Sequence, residues 1–232
     1  MWFPTAYGVQ LACEWPEMRG RRPSRTVSDP TAVRLKAGHT LTVTETALVF
    51  LEDARRRGEL CRPLDWNPEV HHPIGSGEAV IPDALLYYRR GPADGDDWSM
   101  LRAFVEVDRA TMGPERLAAK LTAHERLHRY VPAVPGRRPT FQEQRVEEWR
   151  RRYPLFPRVL FVLDGTGPVG VENRIRALRA GARLLARFPH DVPILAAPLA
   201  DLLHHGPSAP VWRPVHVPDQ RVHWTGPAHR QT

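Results

Sequence analysis

The sequence predicts an α/β domain with a mixed central sheet flanked by helices, on three observations. Residues 158–164 (RVLFVLD) form a nearly continuous apolar run, the pattern of a strand covered on both faces. A helical stretch at about 171–188 follows the GTGP turn, and residues 192–197 (VPILAA) give another buried strand, so the three make a parallel strand–helix–strand crossover. Upstream, residues 80–88 (VIPDALLYY) and 101–108 (LRAFVEVD) have strand length and the β-branched and aromatic content of a sheet. With 232 residues, 42% of them hydrophobic, the chain can bury one good core.

In chain order, residues 1–15 read as a short strand or turn and residues 16–34 as a polar loop rich in Pro and Arg. Ala47, Leu48, Leu51 and Ala54 recur at helical spacing. Their helix ends near Arg55-Arg56-Arg57-Gly58, where basic residues and a glycine suit a C-terminus. Residues 66–72 (WNPEVHH) predict a strand that leads through Gly75-Ser76-Gly77 into a hairpin. Gly113-Pro114 opens a helix reaching about Tyr130, and a Pro-rich link at 131–140 precedes a second helix over 141–153. That second helix carries Arg145, Arg150, Arg151 and Arg152, which could line a DNA groove, but Glu143, Glu147 and Glu148 dilute the charge and favour a solvated face. The GTGPVG turn lacks the lysine and hydroxyl of a phosphate loop and reads as a helix entry. A short helix suits 198–203, and from Pro214 onward few apolar anchors remain, which predicts a frayed tail.

Composition narrows the partners. A formal charge of +7 and a pI near 10.1 favour a polyanion such as DNA. Lys36 and Lys120 are the only lysines in a chain otherwise made basic by arginine, a bias that fits a GC-rich genome and makes the ammonium at position 120 conspicuous. Cys13 and Cys61 are too few for a disulfide framework, so a reduced cytoplasmic setting is expected. No basic, apolar leader opens the chain, and no window approaches the roughly 18 apolar residues of a membrane span.

The chemistry concentrates between residues 81 and 120. Asp83, Glu106 and Asp108 interrupt strands that should be apolar, and Glu106 and Asp108 share a face because side chains alternate along a strand. Like charges held that close need a positive partner. If the two strands pair, Asp83 reaches the same point, and a divalent cation bound by oxygens is the simplest neutraliser. Leu117, Lys120, Leu121 and His124 fall on one helical face turned toward the sheet, so Lys120 completes the set. Glu69 can lie beside Asp83, either as a further ligand or organiser of the metal site or as a solvated strand residue. Cys61, His71 and His72 lack the paired spacing of a zinc site, and adjacent histidines on a strand point to opposite faces.

At the segments WNPEV, IPDALLYY, FVEVDRATMGPERLAAKL, RVLFVLDG and HHGPSAPVWRPV, the sequence resembles the actinobacterial replication-relaxation family, encoded on plasmids and integrative elements. The likeness spans roughly residues 1–215, and its most specific parts are PDA and VEVDR…KL. Members usually begin with a winged-helix DNA-binding domain, and WFPTAYGVQLA resembles its last strand or wing. The resemblance implies a wing remnant and loop over 1–38, a nuclease-like α/β domain over 39–213 and a basic tail over 214–232.

The core is also similar to the PD-(D/E)XK, or restriction-endonuclease-like, fold. There an Asp after Pro and an acid on the next strand bind magnesium, and a lysine activates water. Asp83 matches the first position and Glu106 the second, but Asp108 stands where the lysine belongs, and Lys120 would replace it from the helix. This resemblance implies Mg2+-dependent or Mn2+-dependent phosphodiester hydrolysis, with the metal on Asp83, Glu106 and Asp108, and with Lys120 and Glu69 acting on the oxyanion and the water. Arg89, Arg90 and Arg109 would grip the DNA backbone. The alternative is a catalytically inactive scaffold that binds DNA or a replication or conjugation protein.

Overall fold

The computed structural model describes residues 6–14, 30–132, 146–185 and 187–226. The chain divides into two compact units, Met1–Thr42 and Val43–Thr232. In the first, the described elements are α1 (Ala6–Glu14) and the opening turns of α2 (Pro30–Arg57). The strand or wing expected at 1–15 is therefore corrected: its described part is helical, because the helix formers Ala, Gln, Leu and Glu outweigh the lone β-branched Val9. Most of the expected loop lies outside the described residues, but from Pro30 the chain is helix, with proline at the opening position where its fixed φ suits a helix start. α2 ends as expected at the Arg55-Arg56-Arg57 run, where Gly58 takes φ +66° and Glu59 N–H reaches back to Ala54 O at 2.9 Å.

The second unit is built on strands β1 (Trp66–Pro68), β4 (Ala84–Arg90), β5 (Ser99–Asp108), β6 (Arg158–Leu163), β7 (Ile194–Pro198) and β8 (Arg213–Pro214), paired in that order into one sheet. β1, β4 and β5 are antiparallel neighbours, β5, β6 and β7 are parallel, and β8 returns antiparallel. The mix follows from the connections. The short link between β4 and β5 allows antiparallel pairing, whereas α3 (Glu115–Arg129) and α4 (Pro168–Ala182) supply the crossovers that parallel strands need. β2 (His72–Pro73) and β3 (Ala79–Val80) form a separate hairpin around Gly75-Ser76-Gly77, as the turn chemistry predicts.

Alternation along β5 assigns the two faces. Val105 and Val107 join an apolar cluster with Phe50 and Ala54 of α2, Leu202 of α6 (Leu199–His205), Trp212 and Trp224. Phe104 turns the other way, beneath Leu127 of α3, Trp149 and Tyr153. On that side Phe161 of β6 packs with Leu117 and Leu121 of α3 and Leu178 of α4. Gly181 permits the close approach of these two helices, since a Cβ there would lie 2.9 Å from Ala118 Cβ.

Three local expectations change. Of the helix at 141–153, residues 141–145 lie outside the described residues, and the remainder holds only a 3₁₀ turn, Glu148–Arg151. Pro154 bars any helix from running past this turn, because its ring disfavours helical backbone at Tyr153 and would meet the carbonyl four residues back. α4 opens and closes earlier than expected, and Phe188–Asp191 forms its own short helix, α5, around Pro189. The frayed tail is also corrected up to residue 226. β8 pairs with β7, Trp212 bridges Val222, and Trp224 is fully buried with its ring edge-on to Tyr88 at 5.1 Å and Phe50 at 5.5 Å. Anchors are few in this stretch but large, and one buried tryptophan orders several neighbours.

Candidate functional site

Asp83 lies in the bend just before β4, not within a strand. The register Ala84↔Val105 carries it alongside the end of β5, and its Oδ2 accepts the Val107 N–H at 2.7 Å. Glu106, one residue earlier on β5, is 3% exposed and faces α3. Its Oε2 accepts from Lys120 Nζ at 2.5 Å and its Oε1 from His124 Nε2 at 2.7 Å. Lys120 Nζ also donates to Asp83 Oδ2 at 3.1 Å. One ammonium thus bridges two carboxylates. Lys120 and His124 stand one turn apart on α3, the spacing that puts both above the same strand.

Burial pushes the Lys120 ammonium down, but the Glu106 and Asp83 carboxylates and their hydrogen bonds outweigh it and hold the group well above the ordinary lysine value. It therefore stays charged, while 38% of its side chain remains open to solvent. His124 is fully buried and stacked on Phe104, with ring centroids 5.3 Å apart. Facing a carboxylate, its Nε2 carries a proton. Its Nδ1 is buried with no hydrogen-bond partner, so the ring's polar contact is spent on Glu106 alone.

The other candidates are placed separately. Asp108 shares the Glu106 face but is ion-paired with Arg174 of α4, which also donates to Met112 O at 3.3 Å. Among the described residues no group of three or more His, Cys, Asp or Glu converges as a metal cage. The expected trio of acids is thus a pair, with the third neutralised by an arginine. Glu69 touches Asp83 through the backbone, its N–H donating to Asp83 O at 3.3 Å, and its own side chain is exposed. Arg109 approaches Asp164, 3.9 Å away, at the strand ends where Asp83 lies.

Arg89 and Arg90 are corrected as neighbours of the acids. They sit at the far end of β4, roughly 20 Å from Asp83 at the usual rise per strand residue. There Arg89 lies over the Trp98 ring and donates to Gly95 O, and Arg90 donates to Thr225 O at 2.7 Å.

The donor set suits a hard cation. Magnesium is commonly held by one or two carboxylates and completes its shell with water and substrate phosphate. Asp83 and Glu106 supply two such groups, and each Glu106 oxygen keeps a second lone pair beside its present hydrogen bond, whereas Asp83 Oδ2 already accepts two. The zinc alternative finds no support in the geometry. Cys61 is buried with its thiol pushed up to about 12, chiefly by burial. Both His72 nitrogens are engaged, Nδ1 with Val70 O at 2.9 Å and Nε2 with Tyr153 OH at 2.7 Å.

Burial pushes the His72 ring down to about 4, so it is neutral in the folded protein near neutral pH. The unfolded chain binds that proton near pH 6.5 and the folded chain does not. The stability due to the neutral ring is therefore complete above about pH 6.5 and is lost as pH falls toward 4. The loss is expected on the order of 3 kcal/mol, read as the urea midpoint against pH, and His72→Phe should flatten that slope.

Fold and site together define an α/β protein whose sheet ends in a lysine-bridged pair of carboxylates. Residues 2–152 match the model of the replication-relaxation family, and the chain belongs to that family. The match takes in Asp83, Glu106, Lys120 and His124 and stops short of β6. No curated protein and no solved structure matches the chain. Among the described residues, no helix is long and apolar enough to cross a membrane. Sequence reasoning placed His124 on the right helical face without a role, and its position four residues after Lys120 was the available signal.

Proposed function

We propose that this protein acts on DNA in the replication or mobilisation of a plasmid or integrative element, as a Mg2+-dependent phosphodiesterase with a PD-(D/E)XK-like core. Family membership supports the setting, and the cytoplasm is the compartment such DNA occupies. One observation carries the chemistry: Lys120 Nζ lies 3.1 Å from Asp83 and 2.5 Å from Glu106 at the end of a mixed sheet. Asp83 and Glu106 would hold the ion, with manganese as a substitute. When bound, it supplies a water of lowered pKa and neutralises charge on the scissile phosphate. Lys120, kept protonated by its carboxylates, donates to the oxygen on which negative charge develops. His124 holds the Glu106 carboxylate in place, and exposed Glu69, beside Asp83, orients water. Arg109 meets the DNA backbone near the strand ends.

The test is cleavage of supercoiled and linear DNA by the purified protein, with and without Mg2+ or Mn2+. Asp83→Ala should abolish metal-dependent cutting, and Lys120→Ala should slow it roughly 100- to 1,000-fold, as loss of an oxyanion donor does. A second reading is a nuclease-like scaffold that binds DNA or a replication or conjugation protein. Its support is that both Glu106 oxygens are already hydrogen-bonded within the fold. DNA retained in a gel without cutting, in either metal, would decide for it.

A further inference from the structure

We propose that the cleft between the C-terminal end of α4 and α5 is a docking site for the phosphate backbone of duplex DNA, anchored by Arg179 and Arg183. The inference rests on the DNA-acting reading only for the identity of the polyanion. A cavity of about 370 Å3 is lined there by Arg179, Ala182, Arg183, Pro189, His190 and His216. Its lining holds two guanidiniums, two imidazoles and no carboxylate. Arg179 and Arg183 are one helical turn apart, about 6 Å along the axis, and project from the same side of α4.

Some exposed arginines elsewhere are paired, Arg126 with Glu78, Arg129 with Glu125 and Arg150 with Glu147, while Arg55, Arg62, Arg116 and Arg187 have no such ion pair among the described residues. Among the described residues, neither Arg179 nor Arg183 has such a carboxylate. Basic residues in the last turn of a helix do interact favourably with its dipole. That accounts for two arginines on α4, but not for the delivery of His190 from α5 and His216 from the segment after β8 to the same hollow, with their rings 6.2 Å apart. A guanidinium offers paired donors that match phosphate oxygens, and the His190 imidazole adds a further donor at the rim. The concave shape and single sign of charge concentrate a polyanion there. The cleft lies on the sheet face that also bears the acids, because α3, α4 and Phe188 of α5 belong to one apolar cluster on that side.

The experiment is fluorescence anisotropy with a short labelled duplex and no added metal, titrated over a range of salt. Arg179→Gln/Arg183→Gln should raise Kd at least about tenfold at low salt and lower the slope of log K against log salt by about two. Arg179→Lys/Arg183→Lys, which keeps the charge, should restore most of that slope. Arg55→Gln/Arg151→Gln removes the same charge from elsewhere, and it should leave binding close to wild type. An unchanged slope in the cleft double variant would overturn the placement while DNA binding stands, and so would an equal loss in the distant control. Wild-type protein that retains no duplex at any salt would remove both this inference and the DNA-acting reading. Cutting lost in Asp83→Ala with duplex affinity intact would keep the two sites separate.

Discussion

Glu106→Ala is expected to remove DNA cutting and to lower the unfolding free energy by about 3 kcal/mol. The carboxylate is 3% exposed and accepts two charge-assisted hydrogen bonds, one from Lys120 and one from His124. Each such bond is worth about 1.5–3 kcal/mol. Lys120 can regain water through its open side, so its share is partly recovered. His124 cannot. It is fully buried, its Nδ1 already has no partner, and the substitution would strand both ring nitrogens away from water. Glu106→Gln separates the two effects, because the amide keeps an acceptor for one neighbour while losing the charge that holds a cation. It should retain most of the stability and none of the cutting. Urea denaturation at neutral pH beside the cleavage assay reads both quantities. Cutting that survives in both variants would place the active centre elsewhere, and an unchanged midpoint in Glu106→Ala would mean that the pairing is absent.

Trp224→Ala should destabilise the protein by about 3–5 kcal/mol. Its ring is fully buried between Phe50 of α2 and Tyr88 of β4, so truncation opens a cavity where helix, sheet and C-terminal segment meet. Two further contacts depend on the same segment: Arg90 donates to Thr225 O, and Arg158 donates to Gly226 O at 2.8 Å. Released carbonyls find water, but Arg158, whose guanidinium burial pushes down to about 10, would lose the carbonyl that accepts its N–H. Thermal unfolding compared with wild type measures the effect. A loss under about 1 kcal/mol would show that the tail lies on the surface and takes no part in the core.

Local pattern made much of this protein legible in its residues. The apolar runs at 158–164 and 192–197 became β6 and β7, the glycine turn at 75–77 became a hairpin, and the face Leu117, Lys120, Leu121, His124 turned inward as its spacing required. Each depends on a period of two or of 3.6 residues within one element, which the chain displays directly. Glu106 and Lys120 were recognisable for the same reason, as charges set where those periods demand apolar groups, and Asp83 by its place just before the strand that pairs with that of Glu106.

What only the tertiary structure decided was which charge meets which. Asp108 shares a strand face with Glu106, yet its partner is Arg174, 66 residues further on, delivered by a helix whose docking no local pattern specifies. Trp224 reads as one aromatic in a polar tail until the sheet supplies Phe50 and Tyr88 to enclose it. Alternation along a strand chooses the side on which an acid emerges. The packing of the layer above then supplies its counterion, because desolvating a carboxylate is tolerable only where another element brings positive charge within hydrogen-bond reach.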